Sequence, residues 1–350
     1  MGEHQDRIDP PGRLPGLEAL RAIAAICVLL LHVRAVFGGT PVFGHGYLGV
    51  DFFLMLSGFL MTRVQEPRLA APGSPGPWPF LVKRYRRLWP MMAAGLVLGL
   101  PMQWLRSHGP GDFALVAGLN LLLLPVWAHP FLFPVNIPAW TIFFELVANA
   151  CHVTVLRHLR RGWLPLALAV LAPAEAWIAL HWHGLDVGAK PATFLVGGLR
   201  ILFAYMIGMA LARWSRTRRL PPVPAIPAIL AMPVVLVLGW WLRLSGPWFD
   251  LAFVVLVAPL MIAGAVRLRH FARAAGVLGQ LSFPLFALQM PVLEGLRRLG
   301  VDGWTAGAAA LAVGIAGAAI TAWRSNRRTG GASGRPGLSP PPRADSADHR

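Results

Sequence analysis

GLEALRAIAAICVLLLHVRAVF, residues 16–37, decides the fold. From Leu17 to Phe37 it is almost entirely apolar, and at about 1.5 Å of rise per residue it is long enough to cross the ~30 Å hydrocarbon core of a bilayer. It is too long for a cleavable signal peptide, contains Arg21 and His32, and has no Ala-x-Ala site, so it reads as a retained signal anchor. Stretches of the same kind recur at about 47–62, 88–106, 139–157, 163–182, 193–213, 225–243, 249–266, 277–296 and 303–323. The expected fold class is therefore all-α, a polytopic transmembrane helix bundle of about ten spans. An eleventh apolar stretch, 113–128, is short and holds Asn120 and Pro125, so crossing and re-entry both stay open for it.

Composition agrees with this reading. Of the 350 residues 56% are hydrophobic and 13% charged, about half the charge of an ordinary soluble domain. Two cysteines, Cys27 and Cys151, exclude a disulfide scaffold. The net charge of +17 comes from 30 Arg and 2 Lys against 15 acids. It does not point to nucleic acid, because the cations sit beside spans rather than in a binding module.

Their placement sets the orientation. Arg63, Arg68, Lys83, Arg84, Arg86 and Arg87 crowd one connection, which should be cytoplasmic. With 113–128 not crossing, the clusters Arg157/Arg160/Arg161, Arg213/Arg216/Arg218/Arg219, Arg267/Arg269/Arg273 and Arg324/Arg327/Arg328 fall on that side too. Cytoplasmic segments then hold 24 of the 32 cations and 6 of the 15 acids. The expected organisation is a cytoplasmic segment over 1–16, a membrane domain over 17–323, and a disordered basic tail over 324–350. Both termini lie in the cytoplasm of a cell whose plasma or inner membrane carries the protein.

Ionisable residues inside spans are costly and mark cavities. Here they are Glu18, Arg21, His32, Asp51, Glu145, Glu175, Arg200 and Glu294. Glu18 and Arg21 can pair at i, i+3. Arg21 and His32, eleven residues apart, share one helix face about 16 Å apart. A snorkelling arginine and an interfacial histidine are the ordinary alternatives. GYLGVDFFLMLSGFLMT, residues 46–62, brings Asp51 and Ser57 into a span beside small residues suited to close packing. FLVKRYRRLWP, residues 80–90, places Arg84 and Arg87 one turn apart, suitable as anchors or as bidentate phosphate donors. WTIFFELVANA, residues 140–150, puts Glu145 in a span, where it needs Arg21, Arg200, His32 or a hydroxyl. His181 and His183 lack a third ligand, so no metal site is expected.

The four segments GLEALRAIAAICVLLLHV, GYLGVDFFLMLSGFL, FLVKRYRRLWP and AWTIFFELVANA, in this order, resemble the integral-membrane acyltransferase family 3 over roughly residues 14–323. The resemblance implies transfer of an acyl group, often acetyl, from acyl-CoA to a hydroxyl of a glycan, a lipid-linked sugar or a small molecule. Acyl-CoA would be a co-substrate, with no permanently bound cofactor. The family's Arg–ten residues–His pattern falls on Arg21 and His32, its basic motif on Lys83, Arg84 and Arg87, and its Trp-Thr-x-x-x-Glu element on Trp140, Thr141 and Glu145. Its late Ser-Tyr-x-x-Tyr-Leu-x-His pattern meets Ser282, Phe283, Phe286, Ala287 and Gln289, so glutamine stands for the histidine.

The chemistry that follows is O-acyl transfer. An alcohol needs a base near neutral pH, and His32 is the expected one. Asp51 or Glu145 would orient its imidazole. Arg84 and Arg87, with Arg21, would bind CoA phosphates. Ser57, Thr141, an arginine or a backbone N–H would stabilise the oxyanion. The rival class is a transporter or flippase using the same intramembrane charges.

Overall fold

In the computed structural model, residues 14–330 are described apart from Pro75, Arg161, Arg269 and His270. The described chain is helical throughout, with no strand among the described residues. Helix α1 spans Pro15–Phe37; its proline sits in the first turn, where a missing N–H costs nothing, and Gly38 closes it by donating to the Arg34 carbonyl. Helix α2 (Leu48–Leu60) passes through a wide π turn, Met61–Gln65, into α3 (Glu66–Ala70). Then come α4 (Pro77–Arg106), α5 (Pro110–Leu121), α6 (Ala139–Thr154), α7 (Trp163–His181), α8 (Phe194–Trp214) and α9 (Ala225–Trp241). A second π turn, Phe253–Val257, joins α10 (Pro247–Ala252) to α11 (Ala258–Ala265), and α12 (Ala272–Arg298) and α13 (Gly303–Gly330) follow.

Among the described residues, eight helical units are long and apolar enough to cross a membrane, with α2–α3 and α10–α11 each counted as one. The shorter α6 and α9 are 16 and 17 residues long, and with them the bundle is consistent with about ten spans. Helix α5 does not add another. Its 12 residues reach only about 18 Å, and the chain leaves and rejoins the bundle at the same end. Asp112 holds His129 at 3.0 Å, the Leu132 N–H donates to the Ala189 carbonyl, and the Trp140 ring packs closely against Gly188. The open choice for 113–128 thus resolves to a segment that does not cross.

Two boundaries differ from expectation. Helix α4 begins at Pro77, so the basic 80–90 segment is helical rather than a connection preceding the span. Helix α13 continues to Gly330, past the expected start of the tail at 324. The 1–13 part of the expected N-terminal segment, the 331–350 part of the tail, and Arg161 and Arg269 of the basic clusters lie outside the described residues.

Helices α1, α4, α12 and α13 pack together on one side, and α2 pairs with α8 at the centre. That central pair is set by glycine. A Cβ on Gly58 would lie 2.1 Å from the Tyr205 carbonyl oxygen, and one on Gly208 would lie 1.9 Å from that of Met55. Each backbone therefore sits in the other's missing side chain. Around the contact Phe52, Met55, Phe59 and Tyr205 are fully buried. Outside, Leu166, Val170, Ile226, Leu230, Ile315 and Ile320 are exposed, the apolar surface that a bilayer covers. Exposed tryptophans mark both margins: Trp78, Trp163 and Trp214 at the end holding the described chain termini, and Trp104, Trp241, Trp248 and Trp304 at the opposite end.

Gly208→Ala should lower the thermal midpoint of the detergent-solubilised protein, because overpacking a tight contact costs about 1–3 kcal/mol. Gly118→Ala on α5, where the added methyl meets nothing within 4 Å, should be neutral or stabilising by up to about 1 kcal/mol. Equal midpoints for the two variants would contradict the central contact.

Candidate active site

Two cavities lie in line along the bundle. The terminal chamber, about 670 Å³, opens toward the end that holds the start of α1 and the end of α13. The distal chamber, about 780 Å³, lies toward the opposite end. Val50 on α2, Thr141 on α6 and Phe286 on α12 line both, so these three side chains form a shared partition.

The terminal chamber holds arginines of the basic motif. Glu18 and Arg21 reach it from α1, Ser57 from α2, Arg84 and Arg87 from α4, and Glu145 from α6. Arg84 is not free for a ligand: its Nη2 donates to Glu145 Oε1 at 2.7 Å and to Ser57 Oγ at 3.2 Å. The carboxylate that needed a partner thus takes a cation assigned to phosphate binding, and one guanidinium ties α2, α4 and α6 together. Arg21 and Arg87 line the chamber without a hydrogen bond or ion pair to the described residues. Glu18 and Arg21, expected to pair along α1, both face the cavity instead. Lys83 is exposed and does not line it.

The distal chamber holds His32. Leu31, His32, Ala35 and Val36 line it from α1, with Tyr47, Trp140, Asp186, Lys190 and Arg200 opposite. His32 Nδ1 is buried with no hydrogen-bond partner among the described residues. Neither expected orienting carboxylate reaches it. Asp51 is wholly committed to Arg200, and Glu145 to Arg84 in the other chamber. Arg21 and His32 therefore serve different chambers from one helix. Thr141 is buried on the partition, and its hydroxyl donates to the Pro138 carbonyl at 2.9 Å, which removes it as an oxyanion donor in this geometry. Trp140 is buried between Gly188 and Phe144 and forms part of the distal wall.

The Asp51–Arg200 pair is the principal feature that sequence reasoning missed. Arg200 Nε donates to Asp51 Oδ1 at 2.8 Å and Nη2 to Oδ2 at 2.5 Å. Nη1 donates to the Val187 carbonyl and Nη2 to that of Tyr47, each at 3.1 Å. Both residues are 0% exposed. Each had been recognised as costly in a span, but their separation of 149 positions gave no local signal. Asp250 was passed over altogether. It is buried, accepts from Tyr47 Oη and the Leu185 N–H at 2.7 Å each, and lies 2.9 Å from His45 Nδ1. An acid at the second position of the expected 249–266 span was the available signal. Gln289, where the family pattern has histidine, is buried with no hydrogen-bond partner among the described residues and lines neither chamber. Among the described residues no group of three or more His, Cys, Asp or Glu is placed to hold a metal ion.

Two charged chambers, one of them holding His32, thus meet at three shared side chains inside a helical membrane bundle. This chain belongs to the integral-membrane acyltransferase family 3, whose acyltransferase domain matches residues 14–323. It is 36% identical over 161 residues to "Protein 2 in picA locus" of Rhizobium radiobacter, covering 41% of this chain and 82% of that one. It is 26% identical over 257 residues to the exopolysaccharide production protein ExoZ of Rhizobium meliloti, covering 69% of this chain and 74% of that one. A shorter match, 39% over 59 residues, links it to the O-acetyltransferase OatA of Staphylococcus aureus, covering 17% of this chain and only 9% of that protein. No solved structure is significantly similar. The protein is an acyltransferase built into a membrane.

Replacing Arg200 with glutamine should leave Asp51 buried and unpaired, a loss of about 3–5 kcal/mol. The expected result is a sharp fall in the yield of monodisperse protein on size exclusion. Arg200→Lys should not restore it, since an ammonium cannot reproduce the bidentate fork. The pair Asp51→Leu with Arg200→Leu should recover more folded protein than either single change. A double variant no better than Arg200→Gln would contradict the pairing as the reason.

Proposed function

We propose that the protein moves an acyl group from acyl-CoA, held in the terminal chamber, to a hydroxyl of a carbohydrate acceptor entering the distal chamber. The observation that carries this reading is that a cavity lined by Arg21 and Arg87 and a cavity lined by His32 meet at Val50, Thr141 and Phe286. The clustering of Lys and Arg at the terminal end makes that end cytoplasmic, where a soluble, anionic thioester would be met. Arg21 and Arg87 offer charge-assisted donors to its phosphates, with Arg84 acting as the strut that holds Glu145 and Ser57. The acyl thioester reaches the partition, and the acceptor meets it from the other side.

His32 acts as the base. Its imidazole takes the proton of the acceptor hydroxyl as that oxygen attacks the thioester carbonyl carbon. The new C–O bond forms, the C–S bond breaks, and the proton ends on the departing thiol. Neither Asp51 nor Glu145 orients the ring, since Asp51 pairs with Arg200 and Glu145 with Arg84. A carbohydrate acceptor is supported by relatives named for exopolysaccharide production and O-acetyl transfer.

The test is purified protein supplied with radiolabelled acetyl-CoA and an extract of cell-envelope glycans. His32→Ala should lower label transfer by about 10²–10⁴-fold without changing the KM for acetyl-CoA. Arg87→Ala should instead raise that KM about tenfold, the loss of one charge-assisted contact. Near wild-type transfer by His32→Ala would remove the base assignment. Movement of the glycan across vesicles without labelling would favour transport.

A further inference from the structure

Eight of the 32 cations lie outside the segments read as cytoplasmic: Arg21, Arg34, Arg106, Lys190, Arg200, Arg243, Arg297 and Arg298. The positive-inside bias makes cations at the distal end unfavourable for topology. Even so, five of the eight line one cavity, the distal chamber: Arg106, Lys190, Arg200, Arg297 and Arg298. Two of them are already neutralised, Arg200 by Asp51 and Arg106 by Glu294 at 3.1 Å. Lys190 Nζ lies 5.9 Å from the centroid of the Phe131 ring, and its charge also acts on Asp186. Arg297 and Arg298 hold no hydrogen bond or ion pair to the described residues. Asp186 lies near Arg200 and Lys190, and Glu294 near Arg297 as well as Arg106; with Asp51, three carboxylates stand against the five cations, so the mouth carries an excess of positive charge. A helix C-terminus favours nearby cations, which accounts for an arginine at the end of α12 but not for Lys190 converging from the 182–193 loop.

The depth of these groups is set by the helices. Phe286, Met290, Glu294 and Arg297–Arg298 follow one face of α12 from the partition to the mouth. Arg297 is eleven residues beyond Phe286, a rise of about 16 Å. On the parallel α1, Glu18 sits level with Gly279 of α12, where an added Cβ would lie 2.7 Å from its own; Arg297 is eighteen residues beyond Gly279 and His32 fourteen beyond Glu18. The free cations therefore lie four residues, about 6 Å, beyond the base along the bundle.

We propose that Arg297, Arg298 and Lys190 bind an anionic group, a phosphate or carboxylate, that the acceptor carries at least about 6 Å from the hydroxyl it presents to His32. The inference rests on the distal chamber being the acceptor side. It makes the acceptor an extended, negatively charged molecule rather than a small neutral sugar. Arginine pairs suit both oxyanions as bidentate partners.

The test uses the full chain in phosphatidylcholine nanodiscs and follows tryptophan fluorescence, with Trp140 in the chamber wall. Four probes are compared: trigalacturonate with neutral maltotriose, and geranyl pyrophosphate with neutral geraniol. At least one anion should bind about tenfold or more tightly than its neutral counterpart. The preference should shrink as salt rises from about 50 to about 500 mM. It should also disappear in Arg297→Gln/Arg298→Gln while persisting in Arg243→Gln, a distal cation outside the chamber. Whichever anion wins shows whether the charge belongs to the glycan or to a lipid carrier. Equal binding of charged and neutral probes, no binding of either anion, or a preference that survives Arg297→Gln/Arg298→Gln overturns the inference. CoA titrated in parallel should bind wild type and the double variant alike. A wild type that ignores CoA would instead unseat the donor-side reading, whatever the anions do.

Discussion

Arg200 and Asp51 meet in the centre of the membrane domain, and the arrangement around them depends on that meeting. A buried guanidinium is tolerable only if its donors are used, and here they reach the α2 carboxylate and two backbone carbonyls on different segments. The pair registers α8 against α2 while the reciprocal glycines fix how closely they approach. It also pins Tyr47 and the 182–193 loop, which together supply much of the distal wall. The buried Asp250, gripping Tyr47, His45 and Leu185, repeats the device one layer outward. Charge inside this bundle thus sets register, and the hydrophobic surface fills in around it.

The two chambers divide work that the sequence presents as a single stripe. Arg21 and His32 share a helix, yet one faces a cavity of arginines and glutamates and the other a cavity that widens toward free cations. Only the partition connects them. On the reading proposed above, donor and acceptor would enter from opposite ends of the bundle, each into its own chamber.

Much of the fold was legible because the membrane imposes one rule: backbone groups must be satisfied within helices. Run length located the spans, and the arginine clusters favoured ten over eleven. The failures were local. The basic 80–90 segment reads as a connection because charge suggests water, but it lies within α4 and turns Arg84 inward to Glu145. In the site, residue types were readable and partners were not. Asp51, Arg200, Arg84 and Glu145 each stood out as expensive in lipid, but which carboxylate met which cation depended on helix rotation that no periodicity in so apolar a chain encodes. The distal cations were overlooked for a related reason: scattered over α4, α12 and a loop, they become a group only in three dimensions.

The partition has an electrical consequence. With both chambers filled by water, most of the bilayer's insulation at this point falls to Val50, Thr141 and Phe286, and the membrane potential drops across a layer one side chain deep. A unit charge crossing that layer would exchange about 2.3 kcal/mol per 100 mV with the cell. A neutral acyl group crossing it exchanges none. On the two-chamber reading proposed above, acyl transfer across so thin a septum would draw no current from an energised membrane.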